Sequence, residues 1–418
     1  RTRTRVLENA GRSGMWSSGG AALPFDLPLD PSEPIKGWFN PRNFLRLHQA
    51  LGMRWDVNLD LRVAQLAKDR KWHTSWNIKN GIPARRYLMI GPGWDRAAKQ
   101  EIRRIVPRYR NLPYKNYYNG VDEPMVFPPA GPAEKSAFAR AMTATIRATY
   151  GVAPPSSKAA ETEDPREGLK WVAFNRWAGD RFFTLRKGQV DLIRSLDPTA
   201  VVSPNDYAFI DGFMPWDYTR LAEFADVVEL DPYVSYDEAK NPGRGRYNPG
   251  FGSKLMSDLT GKRVRTIVQA FPYQGYRVQP ADLWTWTSQA LRAGATDITL
   301  YSETNPRISD PRLYAEMMRV ASAMRGTRLP DVPADPRTVV VYNTASEAQG
   351  RTNEPFSVRN RTRADAMYTT YSALGELAGS SFVFDSDTRL VADPARLARA
   401  TTVYLPRADI VDRPMADA

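Results

Sequence analysis

The chain contains no cysteine among its 418 residues and only two histidines, His48 and His73. The lack of cysteine excludes a disulfide framework, a thiolate metal site and a cysteine nucleophile. Neither histidine has a partner at metal-ligand spacing, so we expect no metal site built on histidine. Gly-rich phosphate loops, G-x-S-x-G and zincin motifs are also missing, which argues against nucleotide and serine-nucleophile chemistry and predicts a protein without a cofactor.

Long apolar runs are missing as well. No stretch approaches the roughly 20 residues that are needed to cross a bilayer, and the N-terminus lacks the apolar core of a signal peptide. We therefore expect a soluble protein with no membrane partner. Because the chain starts with Arg1 rather than Met, an upstream export signal is left open, and a bacterial secreted or periplasmic location is favoured slightly over a cytoplasmic one.

The positive charge is not concentrated in runs. The chain carries 58 Lys and Arg against 46 Asp and Glu, a net charge of +12, but only "RTRTR" at the N-terminus and "RNRTR" at 359–363 come near a cluster. Binding of nucleic acid would require these charges along one face. The sequence therefore predicts a solvated basic surface and no nucleic-acid partner.

What the chain does contain is a repeated unit in which a helix precedes a short apolar strand. The helical patterns cover 59–70, 95–110, 179–198 and about ten residues before Gly294, and the strands lie at 72–78, in "YKNYYNGVDEP", in "TAVVSPND", and at 226–231, 264–270 and 297–302. Five or six such units in some 300 residues favour a (β/α)8 TIM barrel. The count is short of eight, so we expect opening strands in the first 50 residues, with "SGMWSSGG" as one candidate.

A second, smaller domain follows the barrel. Residues 1–325 form the predicted catalytic barrel, which ends with a helix at 311–325. The Pro-, Asp- and Gly-rich segment 326–338 reads as a linker. Residues 339–418, with strands at "VVVYN", "FVFDSD" and "ATTVYLPRA" and a helix at 362–378, predict a Rossmann-like α/β domain. It stops at Ala418, so we expect this domain to be incomplete.

Polar residues end the predicted barrel strands, and the carboxyl ends of the strands are where barrel enzymes carry their chemistry. A buried carboxylate is costly without partners, so this many at strand ends indicates mutual hydrogen bonding or a polar ligand. Aromatic residues near the same ends could stack on sugar rings. The candidate residues in chain order are Trp76, Asn77, Asp122, Glu123, Asn205, Glu229, Asp231, Tyr233, Gln269, Tyr273 and Glu303.

Four segments carry a resemblance to a known family. The runs "AAKQEIRRIVPRYRNLPYKNYYNGVDEP", "FNRWAGDRFFTLRKGQVDLIRSLDPTAVVSPNDY", "FADVVELDPY" and "QALRAGATDITLYS" resemble successive pieces of the family 42 β-galactosidases in glycoside hydrolase clan A. The trailing domain resembles the glutamine-amidotransferase-like second domain of that family. The resemblance covers residues 95–415, and it is stronger in the spacing of the segments than in the identity of the individual residues.

The resemblance implies a retaining glycosidase with a general acid/base at the end of the fourth strand and a nucleophilic Glu at the end of the seventh. Glu123 matches the acid/base position, but Asp122 precedes it where the family has Asn. That Asn usually contacts the sugar 2-hydroxyl, and Asp122 could still accept such a hydrogen bond. As a neighbouring acid, Asp122 could also raise the pKa of Glu123, which suits a proton donor.

The match breaks at the nucleophile. The family's Glu aligns with Gln269 in "TIVQAFPYQG", and an amide cannot form a glycosyl ester. Glu303 on the eighth strand and Glu229 or Asp231 on the sixth are the candidates for a second carboxylate, and Asp231 is the nearer of the last two to the strand end. Retaining pairs stand about 5–5.5 Å apart and inverting pairs about 6.5–9.5 Å, so a displaced pair leaves the stereochemistry open.

The sequence therefore predicts a glycoside hydrolase that cleaves O-glycosidic bonds of an oligo- or polysaccharide with Glu123 as general acid/base. The alternative is an inactive carbohydrate-binding barrel, because Gln269 replaces the nucleophile. A lyase or transglycosylase on the same scaffold is a third reading. The partner is a carbohydrate in each case, the sugar is left open, and the family's second domain makes a homo-oligomer an expectation.

Overall fold

The computed structural model describes the following parts of the chain, and the statements below concern these residues: 17–18, 54–59, 90–122, 124, 137–155, 165–207, 216–234, 245–272, 276–301, 311–324, 337–350, 366–406 and 408–417.

The larger part is a seven-stranded sheet in which every neighbouring pair is parallel and the strands follow one another in chain order. Parallel strands in sequential order with intervening helices are the arrangement of a (β/α) barrel. The strands are β1 (Ser17–Ser18), β2 (Arg54–Asn58), β3 (Lys115–Asp122), β4 (Val202–Tyr207), β5 (Val227–Leu230), β6 (Arg263–Gln269) and β7 (Asp297–Tyr301).

Helices cover the outer face of this sheet. They are α1 (Pro92–Tyr109), α2 (Ala137–Tyr150), α3 (Pro165–Leu196), α4 (Asn248–Thr260), α5 (Pro280–Arg292) and α6 (Pro311–Met324), with a 3-10 turn at Tyr218–Glu223. Trp94 of α1 stacks on Phe182 of α3, and Phe182 stacks on Trp216 at a ring-centroid distance of 4.4 Å. Burial of these aromatic rings stabilises the helical layer.

A second sheet of three parallel strands has the order β10-β8-β9. Its elements are β8 (Thr338–Tyr342), α7 (Thr344–Gly350), a helical stretch at 366–371 that continues as a π-helix over Ser372–Leu377, β9 (Val383–Ser386), α8 (Asp387–Ala392), a 3-10 turn at Pro394–Leu397, β10 (Thr402–Tyr404) and α9 (Arg413–Asp417). The parallel order agrees with an α/β domain, and its Rossmann-like assignment over 339–418 stays a prediction.

The two sheets share one hydrophobic core. Phe251 of α4 packs against Tyr371 and Phe384 of the second sheet's layer, and the hydroxyl of Tyr342 donates to the carbonyl oxygen of Trp216 at 3.0 Å. A core that spans both sheets makes them one cooperative unit, because neither face can be exposed without losing buried aromatic area.

Two sequence-based expectations about this fold need correction. The strand beside β3 is β2 at Arg54–Asn58, which the sequence pattern did not indicate, and the strand predicted at 72–78 falls outside the described residues. Helix α3 begins at Pro165, well before the predicted start at 179. The strand expected in "SGMWSSGG" is confirmed as β1.

None of the described helices is long and apolar enough to span a membrane. Within the same residues, no group of three or more His, Cys, Asp or Glu side chains is arranged to hold a metal ion.

Candidate functional site

The inner face of the barrel carries a buried ionic cluster centred on Arg265 of β6. Its guanidinium contacts Asp56 Oδ2 at 2.8 Å and Glu229 Oε1 at 3.4 Å, and it donates to the hydroxyl of Tyr117 and to Thr299 Oγ1. All four partners come from different strands, so this lumen cluster joins β2, β3, β5 and β7 to β6. Because side chains alternate along a strand, these contacts also identify which residues face the lumen.

Two of these groups have raised pKa values. For Tyr117, burial raises the pKa strongly, and the neighbouring Arg265 only partly offsets the effect. For Arg265, burial acts to lower the pKa, but the charges of Glu229 and Asp56 outweigh it and raise the pKa. Arg265 is therefore a permanent cation in the barrel interior, and its charge is balanced by two carboxylates.

Glu229 was predicted to bind substrate, and the structure places it in this cluster. Its carboxylate is buried, lies opposite Arg265 in the strand register, and accepts from Ser203 Oγ at 3.3 Å. A carboxylate that neutralises a buried guanidinium is a poor candidate for the second catalytic acid, because its loss would leave the cation uncompensated.

Asp231 lies one residue beyond the end of β5 and is also buried. Its backbone carbonyl accepts from the backbone N–H of Tyr233 at 2.8 Å, which turns the chain over the mouth of the barrel. Tyr233 was predicted to contact substrate, and its ring is partly exposed at this same edge.

Gln269 is the last residue of β6 and is 2% exposed. Its side-chain Nε2 donates to the carbonyl oxygen of Phe271 at 2.8 Å. Phe271 in turn packs edge to face against Tyr233 at 5.3 Å and against Tyr301 at 5.4 Å. We call Tyr233, Phe271 and Tyr301 the rim aromatics. The amide at the expected nucleophile position is therefore held by one hydrogen bond, and Tyr301 lies opposite it in the strand register.

The remaining predicted residues are placed less completely. Asp122 ends β3 and Asn205 lies in β4; the two strands pair so that Val121 is opposite Asn205 and Asp122 is opposite Asp206, which puts both residues at adjacent positions of the same edge. Their side chains are not described. Trp76, Asn77, Glu123, Tyr273 and Glu303 fall outside the described residues.

The two predicted catalytic positions can be placed by strand order alone. Glu123 follows β3 directly, and Gln269 ends β6, so three strand steps separate the two positions in the sheet. The resemblance places its acid/base and nucleophile on the fourth and seventh strands, which are also three steps apart.

Sequence reasoning missed Asp56, Tyr117 and Arg265 in the lumen and Phe271 and Tyr301 at the rim. A charged residue in an otherwise apolar strand is the pattern that could have indicated the lumen cluster, and Arg265 in "RTIVQ" (265–269) is such a residue. Tyr301 lies one residue before the end of the strand predicted at 297–302, so its position could also have indicated a rim residue.

Solved structures of glycoside hydrolases share this fold over nearly the whole chain. A β-galactosidase from Bacillus circulans sp. alkalophilus has a TM-score of 0.71 at 13% identity, covering 100% of this chain and 66% of that one. A polyextremophilic β-galactosidase from Halorubrum lacusprofundi has a TM-score of 0.70 at 16% identity, covering 99% and 68%. The fold is that of the clan A glycoside hydrolases.

A solved structure with a lower TM-score also shares the fold. A family 5 enzyme, GH5_18 from Streptomyces cattleya, solved in complex with GlcNAc, has a TM-score of 0.57 at 12% identity and covers 96% of this chain and 92% of that one. The chain spans about two thirds of the length of the β-galactosidases above. No protein-family model and no curated protein sequence matches it. At these identities the likeness shows the fold, and the activity has to be argued from the site.

Proposed function

We propose that the protein is a glycoside hydrolase that cleaves O-glycosidic bonds of an oligo- or polysaccharide, with Glu123 as general acid/base. The observation that supports this proposal most directly is the direction in which one face of β3 points. Tyr117 of β3 reaches Arg265 in the lumen, and side-chain alternation gives positions 119, 121 and 123 the same face as Tyr117. Glu123 is the next position of this series, and we place the proposed acid on the lumen side at the carboxyl end of β3, which is where a barrel enzyme acts.

The second carboxylate in this proposal is Asp231, with Glu303 as the competing candidate. Asp231 is buried at the same end of the sheet as Gln269. The lumen cluster leaves Glu229 with a structural role, as argued above. The alternation that gives Glu123 the lumen face gives Asp122 the opposite face of β3, so the predicted contact of Asp122 with substrate is not part of this proposal. Substrate binding is assigned to Asn205, the rim aromatics and the loop residues Trp76, Asn77 and Tyr273.

The test is hydrolysis of a panel of aryl glycosides and of plant and microbial polysaccharides. Loss of a general acid lowers kcat by about 10²–10⁴-fold, so we expect a loss of that size for Glu123→Gln. Comparison of Asp231→Asn with Glu303→Gln then assigns the second role. Glu223→Gln is the matched control, because Glu223 is an exposed acid that is paired with Arg220 at 3.1 Å on the outside of the barrel.

Two results would contradict the proposal. Wild-type rates in folded Glu123→Gln would remove the assigned acid. Sugar binding by the wild type that is retained in Glu123→Gln, with no hydrolysis of any panel member, would instead favour the inactive carbohydrate-binding barrel that Gln269 suggests. Product mass separates hydrolysis from elimination, because hydrolysis adds one water.

A further inference from the structure

The end of β6 presents an amide where the clan A fold would place a nucleophilic carboxylate. The Gln269 side chain is held by the hydrogen bond from Nε2 to the carbonyl oxygen of Phe271. This bond directs the amide oxygen away from that carbonyl, because the two polar atoms of the group lie on opposite sides of its carbon. The chain therefore offers a fixed acceptor, and no ester-forming group, at this position.

Aromatic rings lie next to this position, because Phe271 accepts the Gln269 hydrogen bond through its backbone and Tyr301 is opposite Gln269 in the strand register. The ring of Phe271 is 6% exposed and stands perpendicular to the rings of Tyr233 and Tyr301, with interplanar angles of 88° and 87°. Tyr301 is 39% exposed and therefore keeps part of its ring open at the rim. Asp231 adjoins the same corner through the turn that joins its carbonyl to the N–H of Tyr233.

We infer that this corner receives the 2-acetamido group of an N-acetylated amino sugar, and that this group is the nucleophile of the reaction. The inference rests on the proposed function, which supplies Glu123 as the proton donor. An acetamido group has an N–H donor, a methyl group and a nucleophilic carbonyl oxygen. The buried acceptors of Asp231 and Gln269 suit the N–H donor, and the rim aromatics suit the methyl group. The carbonyl oxygen takes the place of the missing nucleophilic carboxylate.

The bond changes balance without any further reagent. Glu123 gives its proton to the glycosidic oxygen as the bond between C1 and that oxygen breaks, and the leaving sugar departs as an alcohol. The carbonyl oxygen of the acetamido group bonds to C1, which forms a cyclic oxazolinium ion whose positive N–H is stabilised by the Asp231 carboxylate. Water then attacks C1 and gives a proton to Glu123. The ring opens, and the acetamido group is restored with net retention.

The role of Asp231 follows from the charge that develops in this step. A carboxylate in a water-poor corner stabilises a cation more strongly than it would in bulk water. An Asn at the same position keeps the shape and one acceptor oxygen but loses the charge. The variant should therefore bind substrate and fail in the chemical step.

The experiment compares 4-nitrophenyl 2-acetamido-2-deoxy-β-glycosides with the matching 2-hydroxy β-glucoside and β-galactoside. We expect the wild type to favour the acetamido substrates at least about 100-fold in kcat/KM. Its kcat should fall stepwise when the acetyl group carries one, two and three fluorines, because each fluorine weakens the carbonyl oxygen as a nucleophile. Asp231→Asn should lower kcat on the order of 100-fold with KM little changed.

The outcomes separate this inference from the proposed function. If the wild type hydrolyses 2-hydroxy glycosides as fast as acetamido ones, and fluorination has no effect on kcat, the inference is overturned and the glycosidase proposal stands. If no glycoside of either set is cleaved, the proposed function fails first. Tyr301→Ala and Tyr301→Phe give a second readout, since loss of the ring should raise KM for the acetamido substrate about tenfold and retention of the ring should not.

Discussion

Removal of the lumen cation should be the most damaging single change in the barrel. Arg265→Met keeps the apolar stem of the side chain but removes the guanidinium and leaves Asp56 and Glu229 without their shared counter-ion at 2.8 and 3.4 Å. Breaking a buried ion pair from one side costs about 3–5 kcal/mol. A domain has only about 5–15 kcal/mol of stability in total, so we expect the variant to lose about a fifth or more of its free energy of unfolding.

The assay is urea denaturation followed by tryptophan fluorescence, with Arg263→Met as the matched control. Arg263 lies on the same strand and pairs with Asp297 at 2.8 Å, but its side chain is 46% exposed. Exposed pairs contribute about 0–1 kcal/mol, so the control should stay within that range of the wild type. Equal losses in the two variants, or a loss below about 1 kcal/mol for Arg265→Met, would refute the assignment of a buried cation that holds the strands together.

Arg265→Met combined with Glu229→Gln gives a further check on the reasoning. The second change removes one of the two stranded carboxylates, so the double variant should recover part of the stability that Arg265→Met lost. The single change Glu229→Gln should itself destabilise the protein, because it weakens the balance of charge around Arg265. If the two losses simply add, the residues are not coupled and the cluster is not one unit.

Two other predictions concern the outer layer. Gly120→Ala should destabilise the protein by more than about 2 kcal/mol, since the added Cβ would overlap the carbonyl oxygen of Pro204. Gly188→Ala in α3 is the control and should be neutral or stabilising, because the added Cβ would meet no atom nearer than 3.6 Å. Equal shifts in the melting temperatures of the two variants would contradict this prediction. For Asp197, burial acts to raise the pKa, but Lys115 and other donors outweigh it and lower the pKa. The stabilisation that comes from ionised Asp197 is present above the ordinary pKa of Asp, and it is lost as the pH falls through the lower pKa that Asp197 has in the folded protein. Asp197→Asn should therefore destabilise the protein at pH 7, by a margin in urea melts that shrinks toward pH 3; a constant margin would count against the pairing.

Much of the helix and strand order could be predicted from the sequence because it depends on local periodicity. The patterns at 226–231, 264–270, 297–302 and 339–343 each fall within one residue of the strands in the structure. These segments are short apolar runs that end at polar residues, and buried parallel strands have this appearance in any sequence.

The elements that were missed lack this local pattern. Strand β2 reads "RWDVN" and has charged or polar residues at three of five positions, because Asp56 faces the lumen and binds Arg265 rather than an apolar core. Helix α4 contains Pro249, Gly250 and Gly252, which are poor helix formers. Its stability comes from burial of Phe251 against the second sheet, and that contact lies more than 100 residues away in sequence.

The site was predicted as a set of positions rather than as an arrangement. A sequence can indicate that Asp231 and Gln269 each end a strand, but only the sheet order shows that their strands are neighbours and that Phe271 contacts both Tyr233 and Tyr301. The same order changes the meaning of Gln269. As an isolated letter it indicates a lost nucleophile and an inactive enzyme. Beside a buried carboxylate and three aromatic rings, a fixed amide is a group that can bind part of the substrate, so its presence is compatible with catalysis by the substrate's own nucleophile.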